Sequence, residues 1–343
     1  MQTYKKRLIL YLLFLVSQSN VMPIYRSYET HLSDAVSAAT GGSGTSSING
    51  IQSIPQNPSY LAGINDLSLA LGFEGVFNAN SLLNFPSTRF EYLPQFAFNL
   101  PAQSYGSAGL MAFTSFQNHD QAFEYSLYNF EAIYSVKFLN AVFIGLSAGG
   151  GMGIVKNTIL GGGFVYSISA LYKSDYFSTG LLVRPPEILN YPVYNGIYVQ
   201  ERTPTRFQAG FTSYIKDWSL IFELEYIDWK NSQFMENNIN VAPKLQRGFV
   251  DFLHPHLGVD IPLQWLFSLN VRLGVYTADS FDFKGINSRQ ILFTSGIRVF
   301  AGSNDWKNKL LIDLSYESGF LPSLFWSENH QRESLRFTLG YSI

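Results

Sequence analysis

The sequence predicts an all-β fold: a transmembrane antiparallel β-barrel of about 14 strands with an N-terminal plug, or hatch, inside its lumen. Apolar and polar residues alternate from residue 66 to the last residue of the 343-residue chain, as expected for strands with one apolar face. Ahead of them, residues 35–63 form a glycine-rich, polar stretch without such a period. The chain is also rich in aromatic residues (16%) and poor in charged ones (14%), whereas soluble domains carry about 25% charged residues.

The bulk composition excludes several classes of protein and partner. Beyond the N-terminus, no apolar run approaches the roughly 20 residues that a membrane-spanning helix needs. The formal net charge of −2 and the lack of a basic cluster with interleaved aromatic residues argue against a nucleic-acid partner. The sequence contains no cysteine, which excludes disulfides, thiolate metal sites and cysteine catalysis. A barrel that crosses a membrane through strands is compatible with all three observations.

The first 19 residues have the pattern of a cleaved signal peptide. A basic segment at residues 5–7 precedes the apolar run 8–16 (LILYLLFLV), and the small residues within 17–19 offer a cleavage site. The alternative is a membrane anchor, but about ten apolar residues are too few to span a bilayer. We therefore expect residues 1–19 to be removed and the mature protein to reach the outer membrane of a bacterium with two membranes.

Residues 20–65 are predicted to form the hatch. The first part, residues 20–34, gives mixed signals and is compatible with a short helix or an extended arm. The glycine- and serine-rich run that follows also fits a flexible linker. However, this run is interrupted by isoleucines at 48, 51 and 54, and it ends in a turn fixed by Pro58. These features favour a folded segment inside the barrel.

Residues 66–343 are predicted to form the barrel wall. The clearest strands are 265–275 and 335–343, in which every second residue is apolar. The long connections 186–203 and 231–248 are predicted to be external loops or rim structure. Most of the predicted strands reach the 9–11 residues that a tilted membrane strand needs. They are 66–78, 88–101, 104–117, 122–138, 141–156, 163–174, 176–185, 204–215, 218–226, 249–262, 265–275, 291–299, 310–317 and 335–343.

A soluble β-sandwich would show the same alternation in each strand taken singly. Three features favour a membrane barrel instead. The strands are long, and the face predicted to line the lumen carries Glu, Asp and Arg, which are rare in a sandwich core. Aromatic residues also cluster at strand ends, as in the interfacial girdle of a membrane barrel. These residues are Tyr172, Tyr176, Phe177, Trp218, Trp229 and Trp306.

Several short motifs resemble the long-chain fatty-acid transporter (FadL) superfamily of outer-membrane barrels. Asn57, Pro58 and Ser59 stand where the hatch of that family carries Asn-Pro-Ala ahead of the first strand, so Ser59 departs from the pattern. The resemblance covers most of the mature chain. The other motifs that carry it are residues 61–63 (LAG), 67–73 (LSLALGF), 94–98 (PQFAF), 105–109 (YGSAG), 254–260 (HPHLGVD) and 269–276 (LNVRLGVY).

The resemblance implies a channel that takes hydrophobic, fatty-acid-like molecules from outside the cell and releases them sideways into the outer membrane. It implies gating by the hatch residues Asn57, Pro58 and Ser59, and release through an opening where the third strand is kinked. Gly106 and Gly109 are the candidates for this kink, because glycine within a strand often marks a bulge or bend. The alternative is that both are small residues that pack against the hatch.

The same resemblance implies a monomer whose partners are outer-membrane lipids and a hydrophobic small molecule, and it implies no cofactor. The external loops, which form a first binding site in well-known members of the family, are shorter here. This shortening argues against high-affinity capture of fatty acids.

Three arginines are candidates for contact with a ligand carboxylate. Arg272, Arg298 and Arg336 lie on the predicted lumen face, and a guanidinium matches the geometry of a carboxylate. The alternative, which we favour, is that each arginine pairs with a carboxylate of the lumen itself. The nearest candidates on that face are Glu223, Asp313 and Glu317.

Three other functions are compatible with parts of the sequence. Accessory barrels of the type IX secretion system, a branch of the same superfamily, resemble this chain in size and late-strand pattern and handle protein partners. An enzyme is suggested only by His254, His256 and Asp260, which share one strand face. Because no further ligand or nucleophile joins them, we predict neither a metal site nor catalysis. Two histidines either side of a proline (Pro255) at a strand start are typical of rim residues, so we expect them on the rim. The hatch argues against a simple diffusion porin.

Overall fold

A computed structural model shows a closed antiparallel barrel around a folded N-terminal segment. It describes residues 29–30, 35–47, 50–78, 95–102, 106–118, 125–155, 158–191, 199–228, 231, 233–236, 239–240, 253–263, 269–281, 287–302, 309–318 and 332–342.

The described residues form 19 strands. In chain order these are β1 (Glu29–Thr30), β2 (Ser68–Asn78), β3 (Gln95–Pro101), β4 (Ser107–Asn118), β5 (Tyr125–Phe138), β6 (Val142–Val155), β7 (Thr158–Lys173), β8 (Phe177–Arg184), β9 (Ile188–Asn190), β10 (Val199–Arg202), β11 (Arg206–Ile215), β12 (Trp218–Ile227), β13 (Gln233–Glu236), β14 (Ile239–Asn240), β15 (Leu253–Leu263), β16 (Leu269–Phe281), β17 (Asn287–Gly302), β18 (Lys309–Ser318) and β19 (Arg332–Ser342).

The barrel wall consists of 14 strands, namely β2 to β8, β11, β12 and β15 to β19. Each pairs antiparallel with its neighbours, and β8 pairs with β11 as β12 does with β15. The wall closes because β19 pairs with β2 along its whole length, from Arg332 opposite Asn78 to Ser342 opposite Ser68. The predicted 14-stranded barrel is therefore confirmed. Its even strand number places both ends of the wall at the same end of the barrel.

The two ends of the barrel differ in the length of their connections. Residues 139–141, 174–176 and 216–217 make short turns at the end where β2 begins and β19 ends. Connections at the opposite end are longer, as at 185–205. Four of the predicted girdle aromatics are exposed at the short-turn end, whereas Trp229 and Trp306 lie outside the described residues. The four are Tyr172, Tyr176, Phe177 and Trp218.

Side chains alternate between the lumen and the outer face of the wall. In β11, Phe207 and Phe211 are exposed on the outside, whereas Arg206, Gln208 and Thr212 are buried on the inside. An apolar outer face matches the hydrocarbon of a membrane, and a polar inner face matches a lined lumen. The period-2 pattern of the sequence thus fixes which face of each strand meets lipid.

Short strands extend the wall beyond the long-connection end, and we call β9, β10, β13 and β14 the collar. Pro185, Pro186 and Pro204 separate the collar from β8 and β11. Proline has no N–H to donate, so a ladder is interrupted where it occurs. Pairing resumes above the break, where β9 joins β7 and β10. The connections that the sequence predicts to be loops or rim structure therefore contain short strands.

The hatch consists of short helical turns inside the barrel: a helix, α1 (Ala35–Ala39), and two 3₁₀ helices, Ile51–Gln56 and Pro58–Gly63. The sequence has no helical period here. The turns satisfy backbone groups that the surrounding wall removes from water. Of residues 20–34, the structure describes only 29–30, which are extended in β1. Within the described residues, no helix is long and apolar enough to cross a membrane.

Candidate functional site

Asn57 fixes the turn between the two 3₁₀ helices of the hatch. Its backbone is extended (φ −157°), its Oδ1 accepts a hydrogen bond from the Ser59 N–H (3.1 Å), and Pro58 takes the first helical position. Asparagine is a favoured N-cap and proline is favoured directly after it, so this sequence starts a helical turn. The Asn57 Nδ2 also donates to the carbonyl of Thr45. Asn57 therefore joins two parts of the hatch.

Ser59 connects the hatch to the wall. Its backbone N–H donates to Ser169 Oγ of β7 (2.8 Å), and its carbonyl accepts from Ser135 Oγ of β5 (2.7 Å). Asn57, Pro58 and Ser59 are each buried. These contacts place the predicted hatch residues at a junction with two wall strands, while their role in gating stays a prediction.

The hatch backbone lies directly on the wall at a set of inward-facing glycines. A Cβ added to Gly145 would overlap the backbone nitrogen of Ser59, and one added to Gly274 would overlap that of Gly41. Gly41 itself has φ +69°, which favours glycine. Since only a hydrogen atom fits at these contacts, the hatch packs closely against the wall. We name these wall residues the glycine belt: Gly145, Gly180, Gly210, Gly258, Gly274 and Gly296.

Polar side chains of the wall also hold the hatch. Glu223 Oε2 accepts hydrogen bonds from the backbone N–H groups of Gly44 (3.0 Å) and Thr45 (2.8 Å). Gln52 Nε2 donates to Asp313 Oδ2 (2.9 Å) on the other side of the lumen. Hydrogen bonds to a charged acceptor are stronger than those between neutral groups. The carboxylates of β12 and β18 therefore act as anchors for the hatch.

Glu223→Gln is expected to loosen the hatch. A neutral amide replaces the charged acceptor of two N–H groups, and hydrogen bonds to charged groups contribute about 1.5–3 kcal/mol, which predicts at least about tenfold faster amide exchange. Hydrogen–deuterium exchange of a peptide covering residues 42–47 measures this change. Glu201→Gln, which changes a buried carboxylate of the collar in the same way, should leave that peptide unaffected. Equal exchange in both variants would contradict the anchoring role of Glu223.

All three candidate arginines face the lumen, where each pairs with a carboxylate. Arg272 donates to Asp260 (2.7 Å) and Asp313 (2.8 Å), and Arg298 contacts both oxygens of Asp313 (2.7 and 3.0 Å). The third, Arg336, donates to Glu317 (3.0 Å). This geometry matches the alternative in which they neutralise lumen carboxylates. A contact between these arginines and a ligand stays a prediction.

The two candidate kink glycines lie away from the irregularity in the third wall strand, β4. Gly106 directly precedes β4, at φ +108°, and Gly109 pairs regularly with Asn99 and Ile133. The register of β4 against β5 shifts instead between Thr114 and Phe116. A Cβ at Gly109 would meet a Leu61 side chain of the hatch, as the packing alternative expected. The role of both glycines in lateral opening stays a prediction.

Beyond this shift, β1 rather than β3 pairs with the edge of β4 that lies opposite β5. Within the described residues, β4 pairs with β3 only up to Ala112. At Phe116 and Gln117 it pairs with β5 on one edge and with Thr30 and Glu29 of β1 on the other. The segment that leads into the hatch thus pairs with the same edge of β4 that pairs with β3 nearer the short-turn end of the barrel. We call this place the β1–β4 seam.

His254 and His256 are buried lumen residues, so the expectation that they lie on the rim is wrong. His256 Nδ1 lies 2.8 Å from the carbonyl of Gly41, and its ring stacks on Tyr276. The Asp260 carboxylate on the same face is bound by Arg272. Hatch residues cover this part of β15, which explains the burial. In the part of the chain that the structure describes, no three metal-binding side chains converge.

A buried charged cluster, unrecognised in the sequence, lies below the collar. Arg184 at the end of β8 pairs with Glu131 of β5, and Glu187 accepts from Asn129 Nδ2 (2.8 Å). Burial raises the pKa of Glu187 to about 7, while the Arg184 guanidinium partly opposes this rise. The only feature of the local sequence that indicates this cluster is the pair of charged residues, Arg184 and Glu187, on either side of Pro185 and Pro186.

Known structures share this architecture. The monoaromatic hydrocarbon channel CymD superposes with a TM-score of 0.65 at 11% identity, over 90% of this chain and 97% of that one. A Pseudomonas aeruginosa FadL homologue gives 0.62 at 11%, over 92% and 99%. The Pseudomonas putida toluene transporter TodX gives 0.57 at 14%, over 90% and 97%.

No protein-family model matches the chain, and no curated protein sequence matches it significantly. At identities of 11–14%, the structural likeness concerns the fold. The superpositions extend over nearly the whole length of both chains. The chain therefore has the fold of the FadL-type barrels.

Proposed function

We propose that this chain is an outer-membrane channel that takes up hydrophobic small molecules and releases them sideways into the membrane at the β1–β4 seam. The observation that carries the proposal is the edge exchange in β4, where Thr30 and Glu29 replace β3 as the pairing partner. Among the described residues, neighbouring wall strands elsewhere pair over at least five residues, whereas a two-residue strand is easily detached. Movement of β1 would open the wall to lipid without opening the lumen to the periplasm.

The chemistry of the lumen supports a sideways route. Residues of the glycine belt leave no space between the hatch and the wall, and buried ion pairs line the lumen beside it. A hydrocarbon gains roughly 0.8 kcal/mol per CH₂ on leaving water, and it would lose this gain in a charged passage. The proteins with similar structures include channels for monoaromatic hydrocarbons and toluene, which supports the same class of cargo.

Locking β1 to β4 tests the proposal. The chain has no cysteine, so a double variant Thr30→Cys/Phe116→Cys introduces one defined pair at directly opposed positions. Opposed residues of an antiparallel pair have Cα atoms about 4.5–5.5 Å apart, within the range of a disulfide. In cells without a hydrophobic-compound channel, oxidation should abolish uptake of radiolabelled toluene or oleate, and a reductant should restore it.

A lock in a permanent part of the wall is the control. Ser213→Cys/Leu220→Cys joins opposed residues of β11 and β12, and its oxidation should not change uptake. If uptake through the Thr30–Phe116 variant is the same in both redox states, release does not occur at the β1–β4 seam. If the wild-type chain gives no uptake above background, the channel function itself is wrong.

A second candidate is an accessory barrel of a protein secretion system. The close packing of the hatch on the glycine belt and the collar beyond the barrel favour it, because a filled barrel with an exposed rim suits a protein partner. Uptake by the wild-type chain would exclude this role as the sole function. A stoichiometric protein partner that is lost when the collar strands β13 and β14 are deleted would support it.

A further inference from the structure

The outer face of the wall carries an apolar groove on the side of the barrel opposite the β1–β4 seam. It crosses β11, β12, β15, β16 and β17 and has a volume of about 620 Å³. Binding sites for small molecules commonly enclose about 300–1,000 Å³. We call this place the outer groove. Its lining includes Phe211, Leu220, Phe222, Val259, Val275 and Phe293.

The floor of the outer groove is the backbone of Gly258 and Gly274, which stand opposite each other on β15 and β16. On the lumen side the hatch covers both glycines. A Cβ added to Gly258 would lie 2.4 Å from the carbonyl oxygen of Thr40, and one added to Gly274 would lie 2.1 Å from the nitrogen of Gly41. Both glycines are nevertheless partly exposed, so they are reached from the outside. The outer groove is therefore open space on the lipid-facing side of the wall.

The shape of the outer groove matches a single alkyl chain. Neighbouring strands lie about 4.8 Å apart, so the path from β11 to β17 is about 19 Å long. One leaflet of the hydrocarbon core is about 15 Å thick, which is the depth that an acyl chain spans. One row of opposed residues follows this path, namely Phe211, Phe222, Leu257, Val275 and Phe293.

The outer groove is inclined relative to the ends of the barrel. Phe211 stands four residues before the end of β11, whereas Phe293 stands nine residues before the end of β17. The same row of residues is thus nearer the short-turn end at β11 than at β17, as tilted strands require. A chain that lies in the groove therefore begins near the turn between β11 and β12 and ends deeper in the hydrocarbon.

The turn at the shallow end of the groove carries both signs of charge. Lys216 and Asp217 form this turn and are exposed, and the exposed Trp218 follows them as part of the aromatic girdle. An ammonium attracts a phosphate, and a carboxylate attracts an ammonium. A neighbouring cation and anion therefore match a headgroup that contains both a phosphate and an ammonium group.

We propose that the outer groove binds one acyl chain of a zwitterionic phospholipid such as phosphatidylethanolamine, with the headgroup at the Lys216–Asp217 turn. The outer face of these strands is apolar and meets the bilayer, so the occupant comes from the lipid. Between a chain and an apolar surface inside a bilayer, packing contacts rather than water exclusion favour binding. A groove contacts the chain on several sides, whereas a flat wall contacts it on one. The site lies away from the seam, and the inference does not rest on the proposed uptake.

Filling the outer groove tests this inference. Val259→Phe/Val275→Phe places two rings in it and keeps the surface apolar. Native mass spectrometry of the delipidated protein, titrated with 1-palmitoyl-2-oleoyl-phosphatidylethanolamine in detergent, should show one bound molecule in wild type. The Kd of the filled variant should be at least about tenfold higher, a difference of about 1.4 kcal/mol. Val136→Phe, at a partly exposed, outward-facing position near the short-turn end of β5, is the control and should leave the Kd unchanged.

The headgroup is tested separately. Wild type should bind the phosphatidylethanolamine about threefold more tightly than the diacylglycerol with the same chains, as expected for exposed charge pairs. Lys216→Gln/Asp217→Asn should bind the two lipids equally. A preference that persists in this variant would overturn the assignment of the headgroup to the Lys216–Asp217 turn.

Other outcomes would overturn the groove as a lipid site. These are the absence of a one-to-one complex in wild type, an unchanged Kd in the filled variant, or an equal loss of binding in Val136→Phe. A protein dimer that the filled variant abolishes would make a second copy of the chain the occupant instead. Unfolding in urea shows that each variant is folded. The single variants Val259→Phe and Val275→Phe, which should each raise the Kd, give the same decision if the double variant does not fold.

Discussion

Gly145→Ala is expected to dislodge the hatch and to raise the ion conductance of the barrel. The added Cβ would overlap the backbone nitrogen and Cα of Ser59, which cannot rotate away as a flexible side chain would. Overpacking of this kind destabilises a packed contact by about 1–3 kcal/mol, which changes the ratio of docked to displaced hatch by about 5- to 150-fold. Conductance in planar bilayers measures that ratio, because a displaced hatch leaves the lumen open to water.

Gly150→Ala is the matched control on the same strand. Gly150 faces outward, and its added Cβ would lie 3.8 Å from the carbonyl oxygen of Gly163, an ordinary van der Waals distance. It should leave the conductance at the wild-type level. Unfolding in urea, followed by tryptophan fluorescence, shows whether each barrel is folded. Equal conductance of two folded variants would mean that the hatch is not held by its contact with Gly145.

The alternation of the sequence was sufficient to predict the wall and its faces. Strand β16 shows why: a lumen residue such as Arg272 and a lipid-facing one such as Leu273 experience opposite environments, so the sequence must change character at each step. The predicted 14 strands all appear, with described ends that differ from the predicted ones by up to six residues, and the predicted start of the second strand, 88–94, lies outside the described residues. Strand ends are predicted less accurately, because the alternation of apolar and polar residues weakens where side chains contact neither lipid nor the hatch.

The contacts of the hatch could not be predicted, because they join residues far apart in the sequence. Nothing near Gly145 indicates that Ser59 lies against it. A glycine within a strand has the same local appearance whether it permits a bend or a close approach. Gly109 was considered for both roles, and the structure places it against Leu61.

The buried polar clusters could not be predicted from the sequence for a related reason. Alternation assigns Glu131 to the lumen face, but its partner Arg184 is 53 residues away. His256 was expected on the rim because Pro255 precedes it, and proline usually marks a strand edge. The structure instead places Pro255 within β15, opposite Leu224, with the hatch covering the histidine. Which lumen residues are buried depends on where the hatch lies, which local sequence does not encode.

Arg272→Met is expected to reduce the free energy of unfolding by about 3–5 kcal/mol, the effect of removing one partner from a buried ion pair. Arg272 of β16 is 1% exposed and bridges two carboxylates. Asp260 lies on the neighbouring strand β15, and Asp313 lies on β18, two strands away. Methionine fills a similar length but neutralises neither carboxylate. Asp313 keeps Arg298 as a partner, whereas Asp260 loses its only arginine among the described residues. Urea unfolding in lipid vesicles measures the change.

Asp260→Asn combined with Arg272→Met should recover part of the loss, because it removes the carboxylate that the first change leaves unpaired. Arg202→Met, at an exposed position of the collar, should change the stability by no more than about 0.5 kcal/mol.

The same variants decide between the two roles considered for Arg272. A structural ion pair predicts a loss of stability that the double variant partly restores, with binding of dodecanoate unchanged in the folded protein. A ligand contact predicts lost dodecanoate binding at nearly wild-type stability, and that result would overturn the structural role.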